Sequence, residues 1–178
     1  MGAGKSSVGR VLARRLNWLF EDLDDLIEQR EGRSIAEIFS DSGEPAFRAA
    51  EQGALQQLLG ALSSKPGRVV ALGGGAFAQA KNAALLKRHK VDVVFLDAPV
   101  EVLWERCCRQ ASEMGPDRPL LRSVNHFRDL YKKRREHYNK AALTIQTEGR
   151  EFEEIAAEIA ELLKLKKLNL RAEMGEVE

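Results

Sequence analysis

Short apolar runs alternate along the chain with stretches in which apolar residues recur every three or four positions. The runs are rich in β-branched residues and are bounded by Gly or Asp, which is typical of buried strands. The predicted strands cover residues 18–22, 69–72, 91–96 and 143–146, and the predicted helices 8–16, 44–59, 82–88, 99–109, 124–140 and 151–165. Strands that alternate with helices predict an α/β domain with a parallel sheet covered by helices on both faces.

The composition indicates a globular protein of one domain. The chain has 178 residues, of which 44% are hydrophobic and 31% charged. A net charge of +1 gives no general attraction to nucleic acid or membranes, so we expect neither as a partner. We find no long apolar span and no signal pattern, and we therefore expect a cytoplasmic protein. Cys107 and Cys108 are adjacent and predict reduced thiols.

The strongest chemical signal is a glycine-rich segment at the start of the chain. It comprises Gly2, Ala3, Gly4, Lys5, Ser6 and Ser7. Gly4-Lys5-Ser6 matches the end of the P-loop pattern, in which backbone N–H groups cradle phosphates. Lys5 would reach the β- and γ-phosphates of a nucleotide, and the Ser6 hydroxyl would bind Mg²⁺. The alternative is a glycine-rich chain end in front of a helix.

This motif is incomplete. The first glycine of the pattern would lie two positions before Met1, and the strand that feeds the loop would lie further upstream. We therefore expect the first strand to be missing from the sequence. A start codon assigned too far downstream, a shortened clone and a defective gene copy all fit this pattern.

Acidic residues follow the first predicted strand. Asp22 and Asp24 are two positions apart, so both carboxylates can point toward one crevice. One carboxylate near Mg²⁺ and one near a substrate hydroxyl suit phosphoryl transfer. The alternative is a solvated acidic turn.

Arginines and glycines supply candidate substrate contacts. Arg48 and Arg134 each present a planar fork that meets a carboxylate with two hydrogen bonds, although a lone arginine is more often a surface residue. Arg135 is the alternative to Arg134 as the second arginine that would bind the carboxylate. The glycines Gly73, Gly74 and Gly75 end a predicted strand and allow a substrate to approach the backbone, unless they form an ordinary turn.

A turn-rich stretch at about 109–123 is interpreted as a mobile lid, or alternatively as a plain surface loop. Within it, Arg118 would meet the phosphates and stabilise charge in the transition state.

Taken together, these ordered motifs resemble the shikimate kinase family. The resemblance is to Gly2–Ser6, Asp22–Glu28, Gly32–Phe39, Gly43-Glu44 with Phe47-Arg48 and Glu51, Leu72–Ala76, Arg118–Leu121, and Arg134 with Tyr138. It implies a three-layer P-loop kinase fold with a parallel sheet of strand order 2-3-1-4-5, whose first strand this chain lacks. The kinase domain would span residues 1–168, and residues 169–178 would form a disordered tail.

The resemblance also implies a reaction and residue roles. ATP and shikimate would give shikimate 3-phosphate and ADP, with Mg²⁺ as cofactor and a monomer as the working form. Asp24 would bind the shikimate hydroxyls and act as base, and Asp22 would help to hold Mg²⁺ through water. Arg106 and Arg150 would flank the adenine. A related kinase of another polyol acid such as gluconate, and a nucleotide-binding module without catalysis, are the alternatives.

Overall fold

The structure, a computed structural model, describes residues 2–61, 66–114 and 123–167, and only the backbone of residues 113 and 114. In chain order its elements are α1 (Lys5–Leu16), β1 (Leu19–Asp22), α2 (Leu23–Glu31), α3 (Ile35–Gly60), β2 (Arg68–Ala71), a 3₁₀ turn (Ala76–Ala78), α4 (Ala80–Arg88), β3 (Val94–Asp97), α5 (Val100–Met114), α6 (Val124–Tyr138), β4 (Leu143–Gln146) and α7 (Phe152–Leu162). The four predicted strands are confirmed, although β3 begins three residues later than expected. Helix α2 was not predicted.

The strands pair in parallel, as predicted, but in two separate pairs. Strand β1 lies beside β2, with Leu19 opposite Arg68, and β3 lies beside β4, with Val94 opposite Leu143. None of the described residues forms a strand between β2 and β3, so the two pairs are not joined into one sheet. The observed neighbours are those of the order 2-3-1-4-5 with its first strand left out.

Helices cover both faces of the strands. Val69 of β2 packs against a core built from α1, β3, β4, α5 and α7, and includes Leu12, Ile145 and Ile155. The next residue, Val70, packs against a second core, which includes Ile27 of α2 and Leu55 of α3. Successive side chains of a strand point to opposite faces, so β2 lies between two helical layers.

An apolar cavity of about 350 Å³ lies between β2 and β3. It is lined on one side by residues 68–74 and on the other by residues 93–96. Lys5, Val8 and Leu12 of α1 also line it. We call it the interstrand cavity. It lies where the resemblance places the first strand of the family's sheet.

Helix α3 contains a break that sets the position of its second half. Its first turn is fixed by a capping box, in which Glu37 N–H donates to Ser34 Oγ and Ser34 N–H donates to the Glu37 carboxylate. Gly43 then adopts φ 75° and ψ 176°, a conformation that favours glycine, and Pro45 opens the second half. The break directs the following turn, with Arg48, toward the carboxyl end of β2. None of the helices within the described ranges is long and apolar enough to cross a membrane.

Candidate active site

The glycine-rich segment forms a tight loop at the start of α1. Gly2 and Gly4 have φ values of 65° and 80°, and Gly4 is the N-cap of the helix. A Cβ on Gly2 would lie 2.5 Å from the carbonyl oxygen of Leu103, so a side chain there would push α5 away. The first turn of α1 contains no acidic residue, which leaves the positive end of the helix dipole available for an anion.

Two oxygen ligands predicted for Mg²⁺ lie together beside this loop. Ser6 Oγ donates a hydrogen bond of 2.6 Å to Asp22 Oδ2. The other oxygen, Asp22 Oδ1, accepts from the N–H of Asp24 at 3.1 Å, so Asp22 also caps α2. The described part of the chain contains no cluster of three or more His, Cys, Asp or Glu that could hold a metal ion. One hydroxyl and one carboxylate nevertheless suit Mg²⁺, which takes most of its ligands from water and phosphate.

Asp24 lies in the first turn of α2, two residues after the end of β1. Its Oδ1 lies 2.5 Å from the position that a Cβ on Gly73 would take. Burial raises the pKa of the Asp24 carboxyl, the nearby Asp22 raises it further, and Lys5 opposes the shift. Asp24 therefore lies between the phosphate loop and the glycines that follow β2.

Arg48 is held by two carboxylates. Its Nε and Nη2 donate to Glu44 Oε1 at 3.1 and 2.9 Å. Its Nη1 donates to the two oxygens of Glu51 at 3.2 and 3.1 Å. Glu51 is 1% exposed, and burial raises its pKa although Arg48 opposes this. A Cβ on Gly75 would lie 3.0 Å from each Nη atom of Arg48, so the guanidinium lies against the glycine loop.

Arg134 and its neighbour Arg135 have different surroundings. The Nη1 of Arg134 is buried and has no hydrogen-bond partner in the part of the chain that the structure describes. Burial lowers the pKa of Arg134, whereas nearby Tyr138, Glu44 and Glu51 raise it. The Tyr138 hydroxyl donates to the carbonyl oxygen of Gly74. Arg135 is half exposed, and its Nη2 donates to Asp97 Oδ2 at 3.1 Å. The structure thus brings Arg134, and not Arg135, to Arg48 and the glycine loop.

The two arginines predicted near the adenine lie around the end of β4. Arg106 on α5 donates to the hydroxyl and the carbonyl oxygen of Thr147 at 3.3 and 3.1 Å. Arg150 donates to the Gln146 carbonyl and pairs with Glu158 at 2.6 Å. The ring of Phe152 is 42% exposed and lies 3.2 Å from the position of a Cβ on Gly4. Phe152 was not predicted from the sequence, because one aromatic residue at a helix start carries no pattern.

Arg118 lies outside the described residues, as do most of the predicted lid and the tail at 169–178. The first residues of the lid stretch, 109–114, continue helix α5.

Residues 1–164 match the family model for shikimate kinase. The chain belongs to the shikimate kinase family. Shikimate kinase activity, the use of ATP and a place in aromatic amino acid biosynthesis follow from this membership.

Known shikimate kinases match this chain over nearly its whole length. A shikimate kinase of Geobacter metallireducens is 44% identical over 167 residues, which cover 92% of this chain and 88% of that protein. A shikimate kinase of Streptomyces avermitilis is 42% identical over 170 residues, with 93% and 92% covered. The solved structure of a shikimate kinase from Acinetobacter baumannii in complex with shikimate superposes with a TM-score of 0.82 at 38% identity, and the match covers 95% of this chain and 91% of that one.

Proposed function

We propose that the crevice between the phosphate loop and the glycines after β2 transfers the γ-phosphoryl group of ATP to the 3-hydroxyl of shikimate. The observation that carries the proposal is the buried Nη1 of Arg134, which has no hydrogen-bond partner among the described residues and lies near Arg48. A buried guanidinium nitrogen without a partner is costly, and a carboxylate ligand would remove that cost. Shikimate carries a carboxylate that suits Arg48 and Arg134, and hydroxyls that suit Asp24.

The phosphate side of the proposal rests on α1 and its loop. The backbone N–H groups of residues 2–7 would cradle the phosphates, and Lys5 would neutralise charge that develops on the transferred group. Ser6 and Asp22 would hold Mg²⁺, which supplies charge neutralisation at the phosphate oxygens. Arg106 and Arg150 would flank the adenine, and Arg118 would meet the phosphates.

The acceptor side rests on α2, α3, α6 and the glycine loop. Arg48 and Arg134 would bind the carboxylate, while Gly73, Gly74 and Gly75 allow the ring to lie against the backbone. Asp24 would accept the proton of the 3-hydroxyl as its oxygen bonds to the γ-phosphorus and the bond from phosphorus to the bridging oxygen of ADP breaks. The proton then resides on Asp24, and the leaving electron pair resides on ADP.

Paired arginines favour a carboxylate acceptor and do not by themselves distinguish shikimate from gluconate. The shikimate-bound relative favours shikimate, since this chain matches 91% of its length. The position of Asp24 beside Gly73 favours an enzyme over a module that only binds nucleotide. We further propose that the chain works as a monomer in the cytoplasm.

The test combines calorimetric titrations of ADP and shikimate with a coupled turnover assay. We expect both ligands to bind, turnover with shikimate, and none with gluconate. Lys5→Ala should lower kcat by about 10²- to 10³-fold, the usual loss of one preorganised contact to developing charge. The control is Lys81→Ala, since Lys81 is exposed on α4. Retained turnover in Lys5→Ala would show that this loop is not the working phosphate site.

A further inference from the structure

Asp97 is a buried carboxylate to which the proposed reaction assigns no role. It is the last residue of β3 and is 3% exposed. Its Oδ1 accepts hydrogen bonds from the Tyr131 hydroxyl at 2.5 Å and from the N–H of Ala98 at 3.0 Å. Its Oδ2 accepts from Arg135 Nη2 at 3.1 Å. Burying a carboxylate is costly unless donors surround it, and here three donors do so.

Two of these donors belong to one face of α6. Tyr131 and Arg135 are four residues apart, which places them one helical turn from each other. Both therefore attach the same stripe of the helix to the end of β3. The phenol and the guanidinium approach different oxygens of Asp97, so the carboxylate restricts both the rotation of α6 about its axis and its movement along that axis.

The residues of α6 that face the substrate crevice lie next to this attachment. Arg134 immediately precedes Arg135, and Tyr138 lies about one turn further on. The Tyr138 hydroxyl donates to the Gly74 carbonyl, and its ring packs on Phe95 with 5.1 Å between the ring centres. Helix α6 is thus attached at Asp97 and at the glycine loop, and Arg134 lies between these points.

The backbone carbonyl of Asp97 contacts the other side of the proposed site, where the adenine of ATP would bind. Its carbonyl oxygen accepts from the Thr147 N–H at 2.8 Å and from the Thr147 hydroxyl at 3.1 Å. Thr147 in turn accepts from Arg106, the arginine proposed beside the adenine. A change of the Asp97 side chain therefore acts on α6 while the contacts through its carbonyl are retained.

We propose that Asp97 is a positioning residue for acceptor recognition. Through Tyr131 and Arg135 it sets the placement of α6, and so the placement of the Arg134 guanidinium against the glycine loop. The inference rests on the proposed role of Arg134 in binding the shikimate carboxylate. Displacing a binding group by about 1 Å is enough to cost a large factor in recognition.

Two variants test this role. Asp97→Asn keeps the shape but removes the charge that faces Arg135, and Tyr131→Phe removes a single hydroxyl donor. We expect each to raise the Kd of shikimate by about fivefold or more, with the Kd of ADP within about twofold of the unaltered chain. The double variant should raise the Kd of shikimate by less than the product of the two single increases, because both substitutions act through the same contact.

Glu101→Gln is the matched control. Glu101 on α5 also accepts a hydrogen bond from an arginine of α6, Arg128, at 3.2 Å, but both side chains are exposed. We expect both Kd values to be unchanged in this variant. Calorimetric titrations with shikimate alone and ADP alone, together with thermal melts, provide the readouts.

The outcomes separate this inference from the proposed function. If the unaltered chain does not bind shikimate, the proposed function fails first. If it binds shikimate and the two variants bind it equally well, Asp97 does not position the site. A parallel loss of shikimate and ADP affinity together with a lower melting temperature would show a structural role only, and would also overturn the inference.

Discussion

At Asp24, stability and chemistry act in opposite directions. Burial and the neighbouring Asp22 disfavour its charged form, which the proposed proton transfer requires. We expect Asp24→Asn to raise the melting temperature while it lowers kcat by about 10²-fold or more. Asp25→Asn is the control, because Asp25 is the exposed neighbour on the same helix. Near-normal turnover in Asp24→Asn would remove Asp24 from the chemistry.

The same residue predicts a pH dependence. The pKa of Asp24 is raised on folding, so between its ordinary value and its raised value the folded chain binds more protons than the unfolded chain. The contribution of Asp24 to the free energy of unfolding therefore falls as pH rises through this window. Turnover changes in the opposite direction, since it requires the carboxylate. Comparing the pH profiles of kcat/KM and stability with those of Asp24→Asn isolates this contribution.

Arg48 tests recognition of the substrate charge. Lysine would keep the positive charge but lose the fork that contacts Glu44, Glu51 and the glycine loop. We expect Arg48→Lys to raise the KM for shikimate by about tenfold or more and to change the KM for ATP by less than about twofold.

The control for this change is Arg33→Lys. Arg33 pairs with Asp41 at 3.6 Å in the segment just before the break in α3. Its guanidinium lies against Asp41 and Ser42, which are not part of the glycine loop. An equal rise in the KM for shikimate and the KM for ATP in Arg48→Lys would contradict the proposal that Arg48 binds the shikimate carboxylate.

At the scale of elements, the loop after β2 sets how closely α2 approaches the sheet. A Cβ on Gly73 would lie 2.5 Å from Asp24 Oδ1, which is too close without movement of the carboxylate. We expect Gly73→Ala to lower kcat/KM for shikimate by about tenfold or more by displacing Asp24. Gly60→Ala, at the end of α3, is the control, since its Cβ would meet nothing within 4 Å. Equal kcat/KM values for the two variants would show that the loop after β2 accommodates the added methyl group without displacing Asp24.

The sequence predicted β2, β3 and β4 from short apolar runs that contain β-branched residues, and β1 from the apolar residues Leu19 and Phe20 in front of an acidic turn. It missed α2, since the acidic residues from Glu21 to Asp25 resemble a solvated turn. In the structure Asp22 caps that helix with its side chain, a role that spacing alone does not reveal. It also ended α5 at residue 109, because the turn-rich sequence beyond it concealed the helix that continues to Met114.

The site was predictable where residues belong to the motifs shared with the family and unpredictable where a residue lies outside them. Ser6, Asp22, Asp24, Arg48 and the three glycines lie together as expected. Asp97 was not selected, because its partners Tyr131 and Arg135 follow it by 34 and 38 residues. A buried Asp at the end of an apolar strand was the only available signal. The preference for Arg134 over Arg135 depended on the spacing to Tyr138 and stays a prediction; the structure places Arg134 near Arg48 and pairs Arg135 with Asp97.

For the whole molecule, the interstrand cavity predicts that one added strand would stabilise the fold. Among the described residues no strand pairs with the inner edges of β2 and β3, and apolar side chains line the space between them. We expect an extension of about ten residues before Met1, ending in a β-branched apolar strand, to raise both melting temperature and turnover. A rise of about 5 °C would correspond to about 1 to 2.5 kcal/mol in the free energy of unfolding for a chain of this size.

The control is an extension of equal length composed of Gly and Ser. It adds the same chain length without apolar side chains that would fill the cavity. Equal melting temperatures and rates for the two extended forms would mean that another segment already fills the space.

The division between β2 and β3 also bears on how the molecule unfolds. No strand pairing joins β2 to β3 within the described ranges, although α1 packs against both β2 and α7, and β2 contributes to both cores. Segments that share few hydrogen bonds open separately, so the β1–β2 pair and the β3–β4 pair, each with the helices packed on it, should exchange their amide protons as distinct cooperative units. The acceptor arginine Arg48 belongs to one unit and Arg106 to the other. Local opening of either would therefore release one substrate while the site for the other remains folded.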